Sequence, residues 1–398
     1  MAYELLAPAG DLDRLKVALE YGADAVYFGG KQFSLRVRAS NFDLDNIKQA
    51  SDYAHQRNKK VYVTVNMIPH NSDFDGLKQY LTILNEFKVD AIICASSAIA
   101  KLSKQVAPNM EVHISTQQTT TNLSAIKFWQ DNGADRVVLA REVEYDDLLS
   151  ITSHTKMPIE VFIHGGMCAN YSGRCVISNF LTNRDANRGG CAQSCRWNYH
   201  LYHNDELLDK NEYPLSMGSK DMCVMDNFEK LLAANVASLK IEGRMKTAYY
   251  IATVVKSYRM LIDEYQQKGF ISQQCLDNSK SLIARAANRA TFEGFYPGKV
   301  DISGQIYENA QTANQSYIAN VVDCKDHIAL IEVRNYFKKG DRIRLFNPKG
   351  QDVYFTLEKL FDMDGNEVEI ANKPMQKLYM HLPIDVNQFT FITKSEER

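Results

Sequence analysis

One pattern recurs along this chain and is first seen in Tyr21-Gly-Ala-Asp-Ala-Val-Tyr-Phe-Gly-Gly30, where an amphipathic stretch ends in a short turn and an apolar strand follows. The pattern returns at residues 88–94, 132–139 and 235–241. Further strands are predicted at residues 4–7, 60–65, 111–115 and 160–163. Together these are eight strands, and each is followed by helix-like sequence except the seventh.

Strands that alternate with helices predict a parallel sheet. Eight such units in about 245 residues match the size of a TIM barrel. A doubly wound open sheet is the alternative fold, but the even spacing and the number of units favour closure. The sequence therefore predicts an α/β chain with a TIM-type (β/α)8 barrel.

Polar residues and glycines follow the downstream ends of the predicted strands. They are Pro8-Ala9-Gly10, Gly29-Gly30, Asn66, Cys94, Ser115-Thr116-Gln117, Arg141-Glu142, His164-Gly165-Gly166 and Glu242-Gly243-Arg244. The carboxyl ends of the strands form the mouth of a TIM barrel and build its active site, so these residues are expected to converge there. His164 and Glu242 are therefore candidate proton-transfer residues. Alternatively, Glu242 and Arg244 pair with their neighbours, and the glycines fit turns better than a phosphate cradle.

The 398 residues exceed what one core usually serves, so a large domain and smaller parts are expected. We predict a barrel over residues 1–250, a helical connector over 251–298 and a small β-barrel over 299–398. Short strands at 316–322, 327–333 and 341–345 support the last assignment. No apolar run is long enough to span a bilayer, and the first residues lack a secretory signal. A cytoplasmic protein without a membrane partner is therefore expected.

Four of the eight cysteines, Cys168, Cys175, Cys191 and Cys195, lie together with the spacing C-x6-C-x15-C-x3-C. Because cytosolic thiols stay reduced, a metal site explains the cluster better than disulfides. Four thiolates suit zinc or an iron–sulfur cluster. The usual closely spaced zinc pairs are missing, which favours the iron–sulfur cluster, while structural zinc and redox cysteines are alternatives. Cys223 is a fifth thiol that competes for a ligand position.

The cysteine segment, residues 165–200, also combines basic and aromatic side chains. Four arginines and four aromatics accompany the single acid Asp185: Arg174, Arg184, Arg188, Arg196, Tyr171, Phe180, Trp197 and Tyr199. Such a set can bind phosphates and stack on unpaired bases, or it can offset and shield a thiolate cluster. A second basic stretch at 334–349 suits RNA phosphates or a solvated rim. The net charge of −2 leaves a nucleic-acid partner open.

A long motif makes the chain similar to a known family: Glu160-Val-Phe-Ile-His-Gly-Gly-Met-Cys168-Ala-Asn-Tyr-Ser-Gly173-Arg-Cys175-Val-Ile-Ser178. It closely resembles the signature of the collagenase-like peptidases, family thirty-two among peptidases of unknown catalytic type. The resemblance covers essentially the whole chain and extends to Ala7-Pro-Ala-Gly10, Gly189-Gly-Cys191-Ala-Gln-Ser-Cys195-Arg-Trp197, Ser219-Lys-Asp221 and Lys240-Ile-Glu-Gly-Arg-Met-Lys246. Within the family, the chain is most similar to the tRNA hydroxylation proteins, which help form 5-hydroxyuridine at the wobble position.

The resemblance implies a [4Fe-4S] cluster whose ligands include Cys168, Cys175 and Cys191. For the fourth ligand, some relatives use the position that matches Cys195 and others the one that matches Cys223. We predict Cys195, because it belongs to the compact Cys191-x3-Cys195-Arg-Trp motif of the tRNA-directed branch.

The resemblance further implies an oxygen-independent RNA hydroxylase with tRNA as its partner and prephenate as its co-substrate. A small dicarboxylate needs cationic ligands, and the candidates are Arg141, Arg196, Lys240 and Arg244. A peptidase is one alternative, although the Gly-x-Ser-x-Gly and His-Glu-x-x-His motifs are missing. An RNA-binding scaffold with a structural metal site is another. A paralogous partner protein or a homo-oligomer is also left open.

Overall fold

The computed structural model describes residues 3–35, 41–208, 216–286, 289–298, 300 and 316–395. Seven strands come first: β1 (Glu4–Pro8), β2 (Ala25–Gly29), β3 (Lys60–Val65), β4 (Ala91–Cys94), β5 (Glu111–Ile114), β6 (Arg136–Val138) and β7 (Ile159–Gly166). Then follow β8 (Tyr202–His203), β9 (Glu206–Leu207), β10 (Asp221–Cys223) and β11 (Ser238–Ile241). Each of β1–β7 pairs in parallel with the next, and β11 pairs in parallel with β1 and β7. This pairing closes an eight-stranded barrel and confirms the predicted TIM-type fold.

Helices cover the outside of the barrel. They are α1 (Leu12–Glu20), α2 (Leu44–His55), α3 (Leu77–Glu86), α4 (Ser97–Val106), α5 (Leu123–Asp131), α6 (Tyr145–His154), α7 (Ile177–Thr182), α8 (Phe228–Ala233), α9 (Ala248–Lys268) and α10 (Gln273–Ala284). The N-cap residues of α1, α2 and α9 are Asp11, Asp43 and Thr247, and the side chain of each accepts a hydrogen bond from a backbone N–H in the first turn. α9 packs against α1 and β1 and so completes the outer ring. No described helix is both long and apolar enough to cross a membrane.

The two faces of the barrel strands carry different residues, because side chains alternate along a strand. Outward-facing residues such as Val26 and Val63 are buried beneath the helices in the main hydrophobic core. Tyr27 and Tyr62 belong to a separate cluster inside the barrel. Glu160 is buried in the same interior, where it contacts Lys240 and Arg136. The barrel interior is therefore partly polar.

β7 is the longest barrel strand, with 8 residues, and it pairs with two partners along its length. In its first part it runs parallel to β11, with Val161 opposite Leu239. Its last three residues pair antiparallel with β10, where Gly166 lies opposite Asp221. β12 (Thr291–Phe292) extends this pairing as the neighbour of β10. β7 therefore continues past the barrel and leads the chain directly into the cysteine segment.

The C-terminal strands form a curled antiparallel sheet. They are β13 (Tyr317–Lys325), β14 (Ile328–Val333), β15 (Phe337–Lys338), β16 (Arg342–Phe346), β17 (Val353–Thr356), β18 (Leu360–Phe361), β19 (Ile370–Ala371), β20 (Lys377–His381) and β21 (Phe391–Lys394). Seven of them follow the order β17-β16-β21-β13-β14-β20-β18, while β15 and β19 pair with each other. A small all-β unit after the barrel is thus confirmed. The domain limits at residues 250 and 298 stay predictions, and residue 299 lies outside the described residues.

The C-terminal sheet shares its core with the barrel. The Tyr21 hydroxyl, at the end of α1, donates to the carbonyl oxygen of Phe346 at 2.7 Å. Phe346 and Phe391 belong to the same hydrophobic core as the barrel helices. Tyr249 of α9 stacks on Tyr317 of β13, with ring centroids 4.9 Å apart. These contacts fix the sheet against α1 and α9.

Candidate active site

The cysteine segment lies across the mouth of the barrel. After β5, the Thr119 hydroxyl donates to the carbonyl oxygen of Ser172 at 2.7 Å. After β6, the backbone N–H of Arg141 donates to the Ser172 hydroxyl at 3.3 Å. After β3, the backbone N–H of Ile68 donates to the carbonyl oxygen of Asn187 at 3.1 Å. Three strand ends therefore hold the segment where substrates enter a TIM barrel.

Gly173 allows the segment to approach the barrel closely. Its φ is +76°, and a Cβ at this position would lie 2.0 Å from the carbonyl oxygen of Gln117. The side-chain oxygen of Gln117 is itself fixed, since it accepts hydrogen bonds from Asn66 at 2.7 Å and from Ser115 at 3.1 Å. Any larger residue at 173 would strain the backbone and push the segment away from the strand ends.

One predicted cluster ligand, Cys195, lies within electrostatic reach of two others, Cys168 and Cys191. Burial raises the pKa of the Cys195 thiol, the adjacent Arg196 lowers it, and the thiols of Cys168 and Cys191 raise it further. Cys168 and Cys191 are exposed, whereas Cys195 is partly buried. The fold therefore brings thiols from both ends of the segment into the surroundings of Cys195.

Cys175 and Cys223 have different surroundings. The sulfur of Cys175 accepts a hydrogen bond from the side-chain amide of Asn170 at 3.2 Å, within the cysteine segment. The sulfur of Cys223, on β10, lies 3.8 Å from the Tyr258 hydroxyl of α9 and packs against the barrel core. Burial raises the pKa of the Cys223 thiol. The two candidates for the fourth ligand thus differ, because Cys195 lies beside other thiols and Cys223 lies beneath α9.

The donor set of the cysteine segment fits a soft metal centre, because four thiols lie on one irregular stretch of chain. The raised pKa of Cys195 beside two further thiols is a situation that a bound cation would relieve. Among the described residues, however, no group of three or more Cys, His, Asp or Glu side chains is already arranged to hold a metal ion. The chemistry of the ligands fits, and their present arrangement is not that of a coordination sphere.

Two of the four predicted anion ligands are buried and already paired. The Nζ atom of Lys240 lies inside the barrel, 2.7 Å from a carboxylate oxygen of Glu160. The guanidinium of Arg244 donates to the side-chain oxygen of Asn41 at 2.8 Å. It passes over Gly29, where a Cβ would lie 2.2 Å from a guanidinium nitrogen. Gly29 therefore makes room for Arg244.

The other two predicted anion ligands lie nearer the cysteine segment. Arg196 donates to the carbonyl oxygen of Met167 at 3.1 Å and lies 4.0 Å from Asp221. The guanidinium of Arg141 lies over the Phe162 ring, 3.8 Å from its centroid. Within the described part of the chain, this guanidinium makes neither a hydrogen bond nor an ion pair. Arg141 is therefore the candidate that keeps its donors for a ligand.

Glu160 is the centre of an ion-pair network inside the barrel. Its side chain is 0% exposed and lies between Lys240 at 2.7 Å and Arg136 at 3.1 Å. Burial raises the pKa of Glu160, but the two cations outweigh this effect and lower it to about 2. Arg136 also pairs with Glu4. Since all these groups are largely desolvated, the removal of one would leave a buried charge without its partner.

The two predicted proton-transfer residues have different surroundings. His164 is buried against α9, with Nδ1 3.3 Å from the Tyr258 hydroxyl, and burial lowers its pKa to about 4. Glu242 is half-buried, and its carboxylate accepts a hydrogen bond from the Tyr27 hydroxyl at 3.0 Å. Because Tyr27 points into the barrel, Glu242 faces the mouth, whereas His164 faces a helix. Both catalytic roles stay predictions.

Asp221 is a site residue that the strand-end argument missed. It is buried on β10, where it accepts hydrogen bonds from Lys246 at 3.3 Å and Arg289 at 3.2 Å. It also lies 4.0 Å from Arg196. Asp221 therefore connects the cysteine segment to the chain that follows β11. Its signal in the sequence is the motif Ser219-Lys-Asp221.

Three of the six basic residues in the second basic stretch pair with nearby acids. The pairs are Arg334 with Glu332, Lys339 with Glu367 and Glu369, and Arg344 with Asp352. Arg344 is also buried. These contacts favour a structural role for the three paired residues.

Two family models match this chain. One, described as Peptidase family U32, matches residues 10–305, and the other, described as Peptidase family U32 C-terminal domain, matches residues 313–392. A closed barrel followed by a small all-β unit agrees with that division. The chain therefore belongs to peptidase family U32, and the resemblance read from its motifs is confirmed.

Three curated relatives carry names that differ in activity. The chain is 41% identical over 384 residues to a tRNA hydroxylation protein P1 of Bacillus subtilis, which covers 94% of this chain and 90% of the relative. It is 38% identical over 295 residues to a 23S rRNA 5-hydroxycytidine synthase of Escherichia coli, covering 74% and 43%. It is 31% identical over 312 residues to a Collagenase of Porphyromonas gingivalis, covering 75% and 74%. RNA hydroxylation and proteolysis thus both occur among the names of its relatives.

Proposed function

We propose that this protein is an RNA-modifying hydroxylase that forms 5-hydroxyuridine at the wobble position of tRNA without molecular oxygen. The observation that carries the proposal is the position of the cysteine segment, which residues after β3, β5 and β6 hold across the barrel mouth. Thiols and substrate entrance coincide there, as a catalytic centre requires. The relatives named as a tRNA hydroxylation protein and an rRNA 5-hydroxycytidine synthase support RNA hydroxylation.

The cofactor in this proposal is a [4Fe-4S] cluster held by Cys168, Cys175, Cys191 and Cys195. Such a cluster, when bound, supplies electron transfer at the mouth. Cys195 is preferred to Cys223 because its thiol lies beside those of Cys168 and Cys191. The guanidinium of Arg196 opposes the effect of burial on the pKa of Cys195 and so favours the thiolate form that a metal needs.

The proposal also includes prephenate, a small dicarboxylate, as co-substrate. Arg141 is the cation best placed to bind a carboxylate, since its donors are not used by the described residues. The Phe162 ring beneath it also lies 5.5 Å from the Nζ atom of Lys240, so positive charge approaches the ring from two residues. Glu242, held by the Tyr27 hydroxyl, is the proposed proton-transfer group in the same mouth.

A peptidase is the second candidate function, favoured by the family name and by the relative named Collagenase. A cysteine peptidase needs a histidine that takes up the proton of its thiol. Burial lowers the pKa of His164 to about 4, so this residue is a weak base for that task. The sulfur next to the same Tyr258 hydroxyl, that of Cys223, is buried in the α9 interface. The surroundings of His164 and Cys223 therefore favour RNA hydroxylation over proteolysis as the function.

The test is nucleoside mass spectrometry of tRNA from a deletion strain that also lacks any redundant pathway. We expect wobble 5-hydroxyuridine to disappear and to return with the wild-type gene but not with Cys191→Ser. The matched control is Cys275→Ser, because Cys275 lies at the start of α10, far along the chain from the segment. Unchanged 5-hydroxyuridine in the deletion strain would refute the proposal, and digestion of a protein substrate by the purified chain would support the peptidase.

A further inference from the structure

The outer face of α7 presents apolar side chains to solvent. Phe180 is 90% exposed, and Val176, four residues earlier, is 67% exposed. Because residues four apart lie on the same side of a helix, the two side chains form one patch. Leu181 beside them is also exposed. A phenylalanine that is almost fully exposed contributes little to the packing of this chain, and such exposed apolar patches mark binding surfaces. The residues around Phe180 therefore indicate the chemistry of its ligand.

Two arginines with free donors flank this patch. Arg174 precedes α7 and Arg184 follows it, and neither guanidinium has a hydrogen bond or an ion pair with the residues that the structure describes. The nearby carboxylate of Asp185 accepts a hydrogen bond from the backbone N–H of Asn187 at 2.8 Å. Arg188 of the same segment, in contrast, pairs with an aspartate after β3. The patch on α7 therefore combines an exposed aromatic ring with unused positive charge.

The patch lies next to the thiols of the cysteine segment. Cys175 comes two residues before the first residue of α7. On the other side, the Ser178 hydroxyl of α7 accepts a hydrogen bond from the backbone N–H of Ala192, the residue after Cys191, at 3.1 Å. α7 therefore follows one predicted cluster ligand and is fixed on its inner side next to another, and a group bound on its outer face would be separated from Cys191 by the helix itself.

We propose that the outer face of α7 is a stacking platform for an unpaired base of the RNA substrate, with Phe180 beneath the base and Arg174 and Arg184 on the neighbouring phosphates. The flat apolar face of a base suits the ring, and phosphates suit the two arginines. This inference rests on the proposed function for RNA as the substrate, and it adds the surface that positions the loop next to the reacting nucleotide.

The charges favour RNA over a second copy of this chain. α7 contains no acidic residue, and a symmetric contact between two α7 faces would bring Arg174 and Arg184 of each copy against cations. A single-stranded RNA loop instead offers one negative charge for each nucleotide. Duplex RNA is excluded as the occupant, because its bases are stacked on one another and unavailable to Phe180.

The experiment measures binding, without turnover, of an RNA hairpin with a single-stranded loop that contains uridine. Variants Phe180→Ala and Phe180→Trp are compared with the wild type by fluorescence anisotropy. We expect Phe180→Ala to weaken binding at least about fivefold and Phe180→Trp to stay within about twofold, since tryptophan also stacks on bases. Competition by a fully paired RNA should not depend on residue 180.

The matched control is Phe270→Ala. Phe270 is 52% exposed and follows α9, which begins after β11 and runs for 21 residues back along the barrel. It therefore lies at the end opposite the mouth, and its loss should leave RNA binding unchanged. Circular dichroism and urea unfolding should match the wild type for both alanine variants, because neither side chain is in the core.

A second measurement tests the arginines. Arg174→Gln combined with Arg184→Gln should reduce the slope of log affinity against log salt by about 1.4, the value for two phosphate contacts on a single strand. An unchanged slope would overturn their role.

Equal affinity of wild type and Phe180→Ala for the loop, or no affinity of the wild type, would overturn the platform. If Phe180→Ala instead abolished self-association with RNA affinity unchanged, the face would be a protein contact and the inference wrong. The two proposals can fail separately. If loop binding depends on Phe180 but deletion of the gene leaves wobble 5-hydroxyuridine unchanged, the stacking platform is supported and the proposed tRNA reaction is refuted.

Discussion

Replacing Lys240 with methionine is expected to destabilise the protein by about 3 to 5 kcal/mol, the usual cost of breaking a buried ion pair on one side. The Nζ atom of Lys240 lies 2.7 Å from Glu160, whose side chain is 0% exposed. Without this ammonium, the carboxylate would keep only Arg136 at 3.1 Å. The methionine fills a similar volume, so the loss reflects charge more than packing.

The pKa of Glu160 reports the net balance between its burial and the cations around it. Burial raises it, but Lys240 and Arg136 lower it from 4.5 to about 2. At about 1.4 kcal/mol for each pH unit, this difference corresponds to about 3 kcal/mol. Because the folded pKa is the lower one, this contribution is fully present above pH 4.5 and is lost as the pH falls towards 2.

The assay is urea unfolding at pH 7 for Lys240→Met, Glu160→Gln and the double variant. The double variant should lose less than the sum of the two single variants, because it removes both charges of the pair. Lys48→Met is the matched control, since its ion pair with Asp52 is exposed and should contribute less than about 1 kcal/mol. If Lys240→Met costs no more than Lys48→Met, the reasoning about the buried network is wrong.

Three further predictions concern His164, the cluster ligands and Gly173. Between pH 7.5 and 5.5 the protein should lose about 1.4 kcal/mol of stability through His164, because burial lowers the pKa of His164 to about 4 and the unfolded chain takes up the proton first. Urea unfolding of His164→Gln should lack this loss of stability. A pH dependence equal to that of the wild type would contradict the prediction. Anaerobically isolated protein should absorb near ~400 nm and contain iron and sulfide. Cys195→Ser should remove this absorbance and Cys223→Ser should keep it, whereas the reverse result would make Cys223 the ligand. Gly173→Ala should speed protease cleavage within the cysteine segment without shifting the melting temperature of the barrel, since the added Cβ meets the Gln117 carbonyl; cleavage at the wild-type rate would argue against this contact.

The barrel was predictable because its signal is local and repeated. The turn and apolar strand of Tyr21–Gly30 return at three other strands, and shorter apolar runs between them mark the remaining four. The predicted strand positions therefore coincide with β1–β7 and β11. Such repetition makes the number of units, and with it the closure of the sheet, readable from one sequence.

The directions of the charged side chains were not predictable in the same way. Lys240 lies near a strand end in the sequence, but the register of β11 against β7 places it opposite Phe162 and next to Glu160 inside the barrel. A shift of one residue would have turned it to the other face. The different surroundings of Cys195 and Cys223 likewise depend on the antiparallel pairing of β10 with β7, a contact between distant parts of the chain.

The hydrophobic core shared by the barrel and the C-terminal sheet fixes the distance between the two parts. Tyr21 and Tyr249 on the barrel side pack against Phe346 and Tyr317 on the sheet side. A chain cut before β13 would expose these aromatic rings, so the barrel alone is expected to aggregate. The C-terminal sheet is thus held rigidly against the barrel and does not move as a separate domain. An RNA that contacts both parts would therefore have to fit a fixed spacing between them.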